Sequence, residues 1–159
     1  YGPLVAALRA AKSSEPKRRV DVVLYRGNTL KGPTRGQNPM VRQLLAAGVN
    51  VRLAKGNKLS PVYQDAGRPN NPGSLSGALH ARSVIIGRHV LGGSTNWTVA
   101  SRANQECSMH LTLDESTTDK VSDLFDAVWN KAEEVTTAFL MDQMNERLRV
   151  QAAKKLNNG

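Results

Sequence analysis

The stretch that most constrains the fold runs from "VDVVLY", residues 20 to 25, through Met40 to Ala47 and Gly48, to "VNVRLA", residues 49 to 54. The first segment is short, rich in β-branched residues and almost without polar alternation, which is the pattern of a strand covered on both faces. Met40 to Ala47 repeats apolar residues at helical spacing, and Gly48 supplies the residue that a helix C-terminus needs beyond its last turn. Strand, helix and strand in this order form a parallel βαβ unit, and the rest of the chain has to be built around it.

The flanking segments are read by the same periodicities. Leu4, Val5, Leu8 and Ala11 recur at helical spacing until Ser13-Ser14-Glu15-Pro16 stops the helix. "ARSVII" (81 to 86) and "HVLGG" (89 to 93) are two short strands joined at Gly87-Arg88 as a hairpin, and "CSMHLTL" (107 to 113) is a further strand. Val121, Leu124, Phe125, Val128 and Trp129 form one apolar helical stripe. A last helix is expected from Glu133 to Lys155, its stripe of Val135, Phe139, Leu140, Met144 and Leu148 docking on this domain or, in preference, on a partner surface. The segment from 55 to 77, dense in Gly, Pro, Asn and Ser, is either a functional loop or a disordered one.

Size and composition bound the outcome. A chain of 159 residues suits one domain, and at 4% aromatic residues its core must rest on Leu, Val, Ile and Ala. No apolar run approaches the roughly 20 residues of a membrane span, and no charged-then-apolar leader opens the chain, so a soluble domain is expected. A start at Tyr1 without Met points to residues missing upstream. The single cysteine, Cys107, cannot close an internal disulfide, and no Cys/His spacing resembles a zinc site. On its strand Cys107 is expected to be a buried, unreactive thiol.

Charge is unevenly spread. Residues 1 to 60 carry twelve Lys/Arg against two Asp/Glu, whereas residues 107 to 159 carry six against nine, within a formal net charge of +9. A basic half of this kind attracts phosphates or an anionic lipid surface at long range, or simply keeps the chain in solution. Mitochondrial, plastid and ribosome-associated proteins share such a balance, and the compartment stays open.

The residues that carry chemistry are in "HARSVIIGRHVLGGSTNWT", 80 to 98, followed by Asn104-x-Glu106. His80, one residue, Arg82, an apolar strand, a turn, a second strand and Gly93-Ser94-x-Asn96 resemble the HKD motif of the phospholipase D superfamily. "GSTNWT" is similar to the small single-motif nuclease and mitochondrial cardiolipin hydrolase branch. The resemblance covers roughly residues 4 to 130, which makes residues 1 to 130 a single-HKD domain and 131 to 159 a C-terminal helical extension. It implies an α/β fold, a mixed sheet flanked by helices, from which the family's first strand is missing here.

The resemblance also implies a mechanism. His80 would attack phosphorus to form a covalent phosphohistidine, splitting one hard displacement into two easier ones. Arg82, two residues on and so on the same strand face, would neutralise the non-bridging oxygens. Ser94 and Asn96 would bind the same phosphate, and Glu106 would accept the other imidazole N–H. No metal or other cofactor enters this scheme. Two positions depart from the family pattern: Arg82 stands for a lysine and Gly87 for an aspartate. Arg is planar and bulkier than Lys, so that exchange is not neutral at a tight site.

The family uses two such histidines, one as nucleophile and one as general acid for the leaving group. This chain has one motif, which implies a homodimer across the motif, a second motif outside this sequence, or a partner met through the 133 to 155 helix. His89 and His110 have no motif around them and are read as structural, and Trp97 as core. Three functions stay open: a metal-independent phosphodiesterase acting on nucleic acid or a phospholipid headgroup, a degenerate HKD domain serving as a structural or nucleic-acid-binding subunit, and an unrelated α/β domain.

Overall fold

The computed structural model describes residues 2–26, 37–56, 81–94 and 103–157. Helix α1 spans Gly2–Ser14, strand β1 Asp21–Tyr25, helix α2 Asn38–Ala46 and strand β2 Asn50–Ala54. β3 (Ser83–Ile86), β4 (His89–Gly93) and β5 (Ser108–Thr112) follow, then helix α3 (Glu115–Lys131), β6 (Glu133–Glu134) and helix α4 (Thr137–Asn157).

The βαβ unit is present as expected. β1 and β2 pair in parallel, with Asp21 opposite Asn50 and Tyr25 opposite Ala54. Between them α2 begins with Pro39 in its first turn, where the missing N–H costs nothing. It ends in a Schellman turn: Val49 N–H bonds Leu44 O at 3.0 Å and Gly48 N–H bonds Leu45 O at 2.9 Å. That turn needs a left-handed residue at position 48, and Gly48 has φ 77°.

The core gathers around this unit. Val41, Leu44, Val51 and Leu53 are buried, together with Val5 of α1 and Val20 before β1. α1 closes one side, and Lys12 ties its end down by donating to the carbonyls of Pro16 and Arg18, each at 2.8 Å. The other contribution comes from beyond α3. Val135 and Leu140 are 3% and 1% exposed, so the start of α4 belongs to the chain's own core.

This corrects the expected last helix. Glu133 and Glu134 are extended and pair antiparallel with Leu53 and Arg52, forming the edge of a mixed sheet ordered β1-β2-β6. Val135 N–H continues the pairing to Val51 O at 3.0 Å. Helix geometry starts only after Thr136, whose hydroxyl accepts from Phe139 N–H at 3.0 Å as an N-cap. The expected partner-facing stripe is therefore split: Val135 and Leu140 are core, Phe139 packs against it, and Leu148 is exposed.

The second sheet is antiparallel, ordered β3-β4-β5. Its hairpin turns at Gly87, which has φ 53°, and runs in register from Ile86 opposite His89 to Ser83 opposite Gly92. The α/β architecture of helices around sheets is thus the one read from the sequence, with the strands divided between two sheets among the described residues. α3, entered through the Asp114 cap, buries no residue fully. It is held instead by Trp129, over which the Arg52 guanidinium sits at 4.5 Å from the ring centroid while its Nη1 donates to Trp129 O at 2.8 Å.

Candidate active site

The β3-β4-β5 sheet positions the site. Arg82 extends the β3 ladder by one residue, its carbonyl accepting from Gly93 N–H at 3.3 Å. On the other side of β4, Ser94 N–H bonds Cys107 O at 2.9 Å, one step beyond the Gly93–Ser108 pair. The return bond is different: Cys107 N–H donates to the Ser94 hydroxyl at 2.9 Å. The side chain thus stands in for the main-chain acceptor, which ends the ladder and fixes Oγ at the tip of the sheet.

From there the hydroxyl reaches Glu106, donating to Oε2 at 2.5 Å. Asn104 Nδ2 donates to Oε1 of the same carboxylate at 3.1 Å. A half-buried acid, a hydroxyl and an amide therefore converge at one end of the central strand, and Arg82, also half-buried, begins the neighbouring strand. Charge-assisted bonds of this kind are the stronger class, and two of them on one carboxylate restrict its rotation.

Of the five residues expected at the site, the structure brings Ser94 and Glu106 together and sets Arg82 next to them in the ladder. His80 and Asn96 lie outside the described residues, as do Trp97 and nearly all of the 55 to 77 loop. Asn104 was quoted with the motif but had no role assigned from sequence; its spacing of two from Glu106 is the signal that could have given one.

Cys107 needs correction. It precedes β5 and its side chain is exposed, because β5 lies on the surface and all five of its residues are exposed. The rings of His89 and His110 meet at a tilt with centroids 5.4 Å apart, and His89 Nδ1 meets Thr112 Oγ1 at 3.2 Å, toward the hairpin end of the sheet and away from Ser94. Among the described residues no three His, Cys, Asp or Glu side chains gather closely enough to hold a metal ion.

A separate cavity of about 470 Å³ opens at the starting ends of β1 and β2, lined by Arg19, Asp21, Asn50, Arg52, Trp129 and Glu134 among others. Asp21 accepts from Arg19 and, at 2.8 Å, from Asn50. The hydrogen bond to Asp21 raises the pKa of the exposed Arg19 above its ordinary value. The two arginines of this cavity are balanced by its two carboxylates, so it has no net pull on an anion.

Residues 2–129 match the family model described as "Cardiolipin synthase, PLD-like domain". The chain belongs to the phospholipase D-like family. A search of curated proteins finds no match. Among solved structures, the chain is similar to Nuc, a phospholipase D family member from Salmonella typhimurium, at a TM-score of 0.61 and 19% identity over 84% of this chain and 74% of that one. At that identity the likeness concerns the fold. The family match stops at residue 129, two residues before the end of α3, and leaves β6 and α4 beyond it. Among the described residues no helix is long and apolar enough to cross a membrane.

Proposed function

We propose that this chain is a phosphodiesterase of the phospholipase D superfamily, acting on the phosphodiester of a nucleic acid or a phospholipid headgroup through a covalent phosphohistidine at His80. The observation that carries the reading is the hydrogen bond from Ser94 to Glu106. It joins the Gly-Ser element to the acid across twelve residues and sets both beside the strand that Arg82 opens.

In this reading an imidazole nitrogen of His80 attacks phosphorus, and the bond from phosphorus to the leaving oxygen breaks. The leaving oxygen takes its proton from a second histidine acting as general acid. Water then attacks the phosphohistidine, giving its proton to the same second histidine, now a base, and freeing His80. Arg82 and Asn96 stabilise the charge on the non-bridging oxygens, and Glu106 accepts from the His80 imidazole to fix its tautomer. The positive charge comes from the guanidinium, so no step calls for a metal.

The second histidine comes from another copy of the chain, in a homodimer across the motif. Residues 1 to 130 carry the proposed catalytic motif, and 131 to 159 form a C-terminal extension whose first residues, through Leu140, complete the core. A second reading, a domain that has lost catalysis and serves a larger assembly, draws on Arg82 and Gly87 standing for the family's lysine and aspartate. Hydrolysis of bis-p-nitrophenyl phosphate in the presence of EDTA separates the two. Turnover that disappears in His80→Ala supports the enzyme, and absence of turnover in the intact chain rejects it.

A further inference from the structure

Two of the chain's three histidines stand side by side at the hairpin end of the second sheet. His89 pairs with Thr112 and Leu91 with His110, so the period of two puts His89, Thr112 and His110 on one face of β4 and β5, with the histidines as diagonal neighbours. Their ring centroids are 5.4 Å apart, with 33° between the planes. Both residues are exposed, and neither belongs to the hydrophobic core.

Thr112 gives the pair a chemical direction. Its hydroxyl meets His89 Nδ1 at 3.2 Å. A ring whose Nδ1–H donates to a hydroxyl keeps its lone pair on Nε2, the arrangement by which a neighbour prepares an imidazole as a metal ligand. Two imidazoles bound to one ion at about 2.0–2.1 Å through nitrogen hold their ring centres roughly 5 Å apart, close to the spacing already present. Arg88, next along the turn, is committed elsewhere: its Nε donates to Leu113 O at 2.6 Å, and its charge acts on the Asp114 carboxylate.

We infer that His89 and His110 form a two-imidazole site for a divalent transition-metal ion of the zinc or copper type, with Thr112 fixing the His89 tautomer and water completing the coordination. Imidazole nitrogen suits these ions, whereas magnesium and calcium prefer oxygen. A bound ion ties β4 to β5 across an exposed pair of strands. The site is independent of the phosphodiesterase reading, since it lies at the opposite end of β4 from Ser94 and supplies nothing to hydrolysis in EDTA.

The test uses the full chain, freed of metal with EDTA and exchanged into buffer, with Zn²⁺ alone as the probe. Isothermal titration calorimetry should show one Zn²⁺ per chain. His89→Ala and His110→Ala should each lose that binding, and Thr112→Val should weaken it about tenfold, the scale for removing an orienting partner. His80→Ala and Cys107→Ser remove the remaining histidine and the one cysteine, and should bind as the unaltered chain does. Proton NMR of the unaltered chain gives a second reading: the imidazole signals of His89 and His110 should shift together on addition of Zn²⁺ while that of His80 stays.

Absence of saturable binding overturns the inference, as does binding that survives in His89→Ala or His110→Ala. Loss of binding in His80→Ala or Cys107→Ser overturns it too, because the ion then uses a donor outside the pair. Equal affinity in Thr112→Val strikes out the part given to Thr112.

Discussion

Gly93 lies so close to Cys107 that a Cβ on it would fall 2.2 Å from the Cys107 carbonyl oxygen and 2.7 Å from Ser108 Cα. Both neighbours are main-chain atoms and cannot rotate away. The glycine is what lets β4 and β5 close up one step before Ser94, and that closeness is what brings Ser94 within reach of Glu106.

Gly93→Ala should therefore separate the two strands at the site. The expected cost is about 2 kcal/mol in urea unfolding, the usual scale for inserting a methyl into a filled space. Gly2→Ala is the control, since nothing lies within 4 Å of a Cβ there. Equal stability of Gly93→Ala and the unaltered chain would show that the strands do not pair this closely.

His80→Ala should abolish phosphodiester hydrolysis, because the covalent route is lost with its nucleophile. Arg82→Lys should preserve or raise it, since a compact ammonium restores the charge the family places there. Initial rates on bis-p-nitrophenyl phosphate with EDTA decide both. Unchanged turnover in His80→Ala would end the mechanism proposed here.

How much of this could be read beforehand depends on the range of the interactions involved. The βαβ unit was legible because its signals are local: a β-branched run, a helical stripe and Gly48 in a Schellman turn. The hairpin was legible for the same reason, and Gly87 at φ 53° shows why a glycine serves the short turn where the family has an aspartate. Glu133 and Glu134 were misread as helix because two glutamates carry no strand signal; only the edge of β2, some eighty residues earlier, makes them extended. The stripe of α4 looked partner-facing because periodicity identifies an apolar face without saying what covers it, and Val135 and Leu140 are covered by the chain itself. Cys107 was placed inside because its strand was expected to be buried, and β5 is instead exposed along its whole length. The link between Ser94 and Glu106 was anticipated only as two members of one motif, not as a bond between them.

Trp129 should prove to be the main anchor of α3. No residue of that helix is fully buried, and its described attachments to the rest of the fold include the Arg52 guanidinium over the indole and the Arg52 bond to Trp129 O. Trp129→Ala removes the ring and should cost about 2 kcal/mol, with Trp129→Phe recovering part, since an aromatic face still receives the cation. Denaturation followed by circular dichroism measures it. A Trp129→Ala protein as stable as its parent would mean that α3 is held by something else.

Asp114 gives the fold an acid-sensitive end. Its carboxylate accepts from Thr117 N–H at 2.8 Å and from Thr117 Oγ1 at 2.9 Å, and these bonds hold its pKa below the ordinary carboxylate value. A group depressed in the folded state contributes stability above its unfolded pKa and loses it as pH falls through the folded one. Between neutral pH and the acid side of that window, Asp114→Asn should therefore lose less melting temperature than the unaltered chain, because its cap does not titrate. Parallel melting curves in both proteins over that range would remove Asp114 from the acid response.

The proposed mechanism carries an expectation about assembly. One histidine can serve as nucleophile but cannot protonate the leaving group in the same step, so the proposed mechanism takes its second histidine from another copy of the chain. Light scattering on the active protein should give twice the 17.3 kDa of the chain. Leu148 is 59% exposed on the part of α4 that leaves the core, so Leu148→Glu should leave that dimer and its turnover intact. Mixing His80→Ala protein with the unaltered chain should lower turnover more steeply than simple dilution, since each mixed pair lacks one of its two histidines. A monomer that hydrolyses phosphodiesters, with activity falling only in proportion to dilution, would show that the site is complete in one chain.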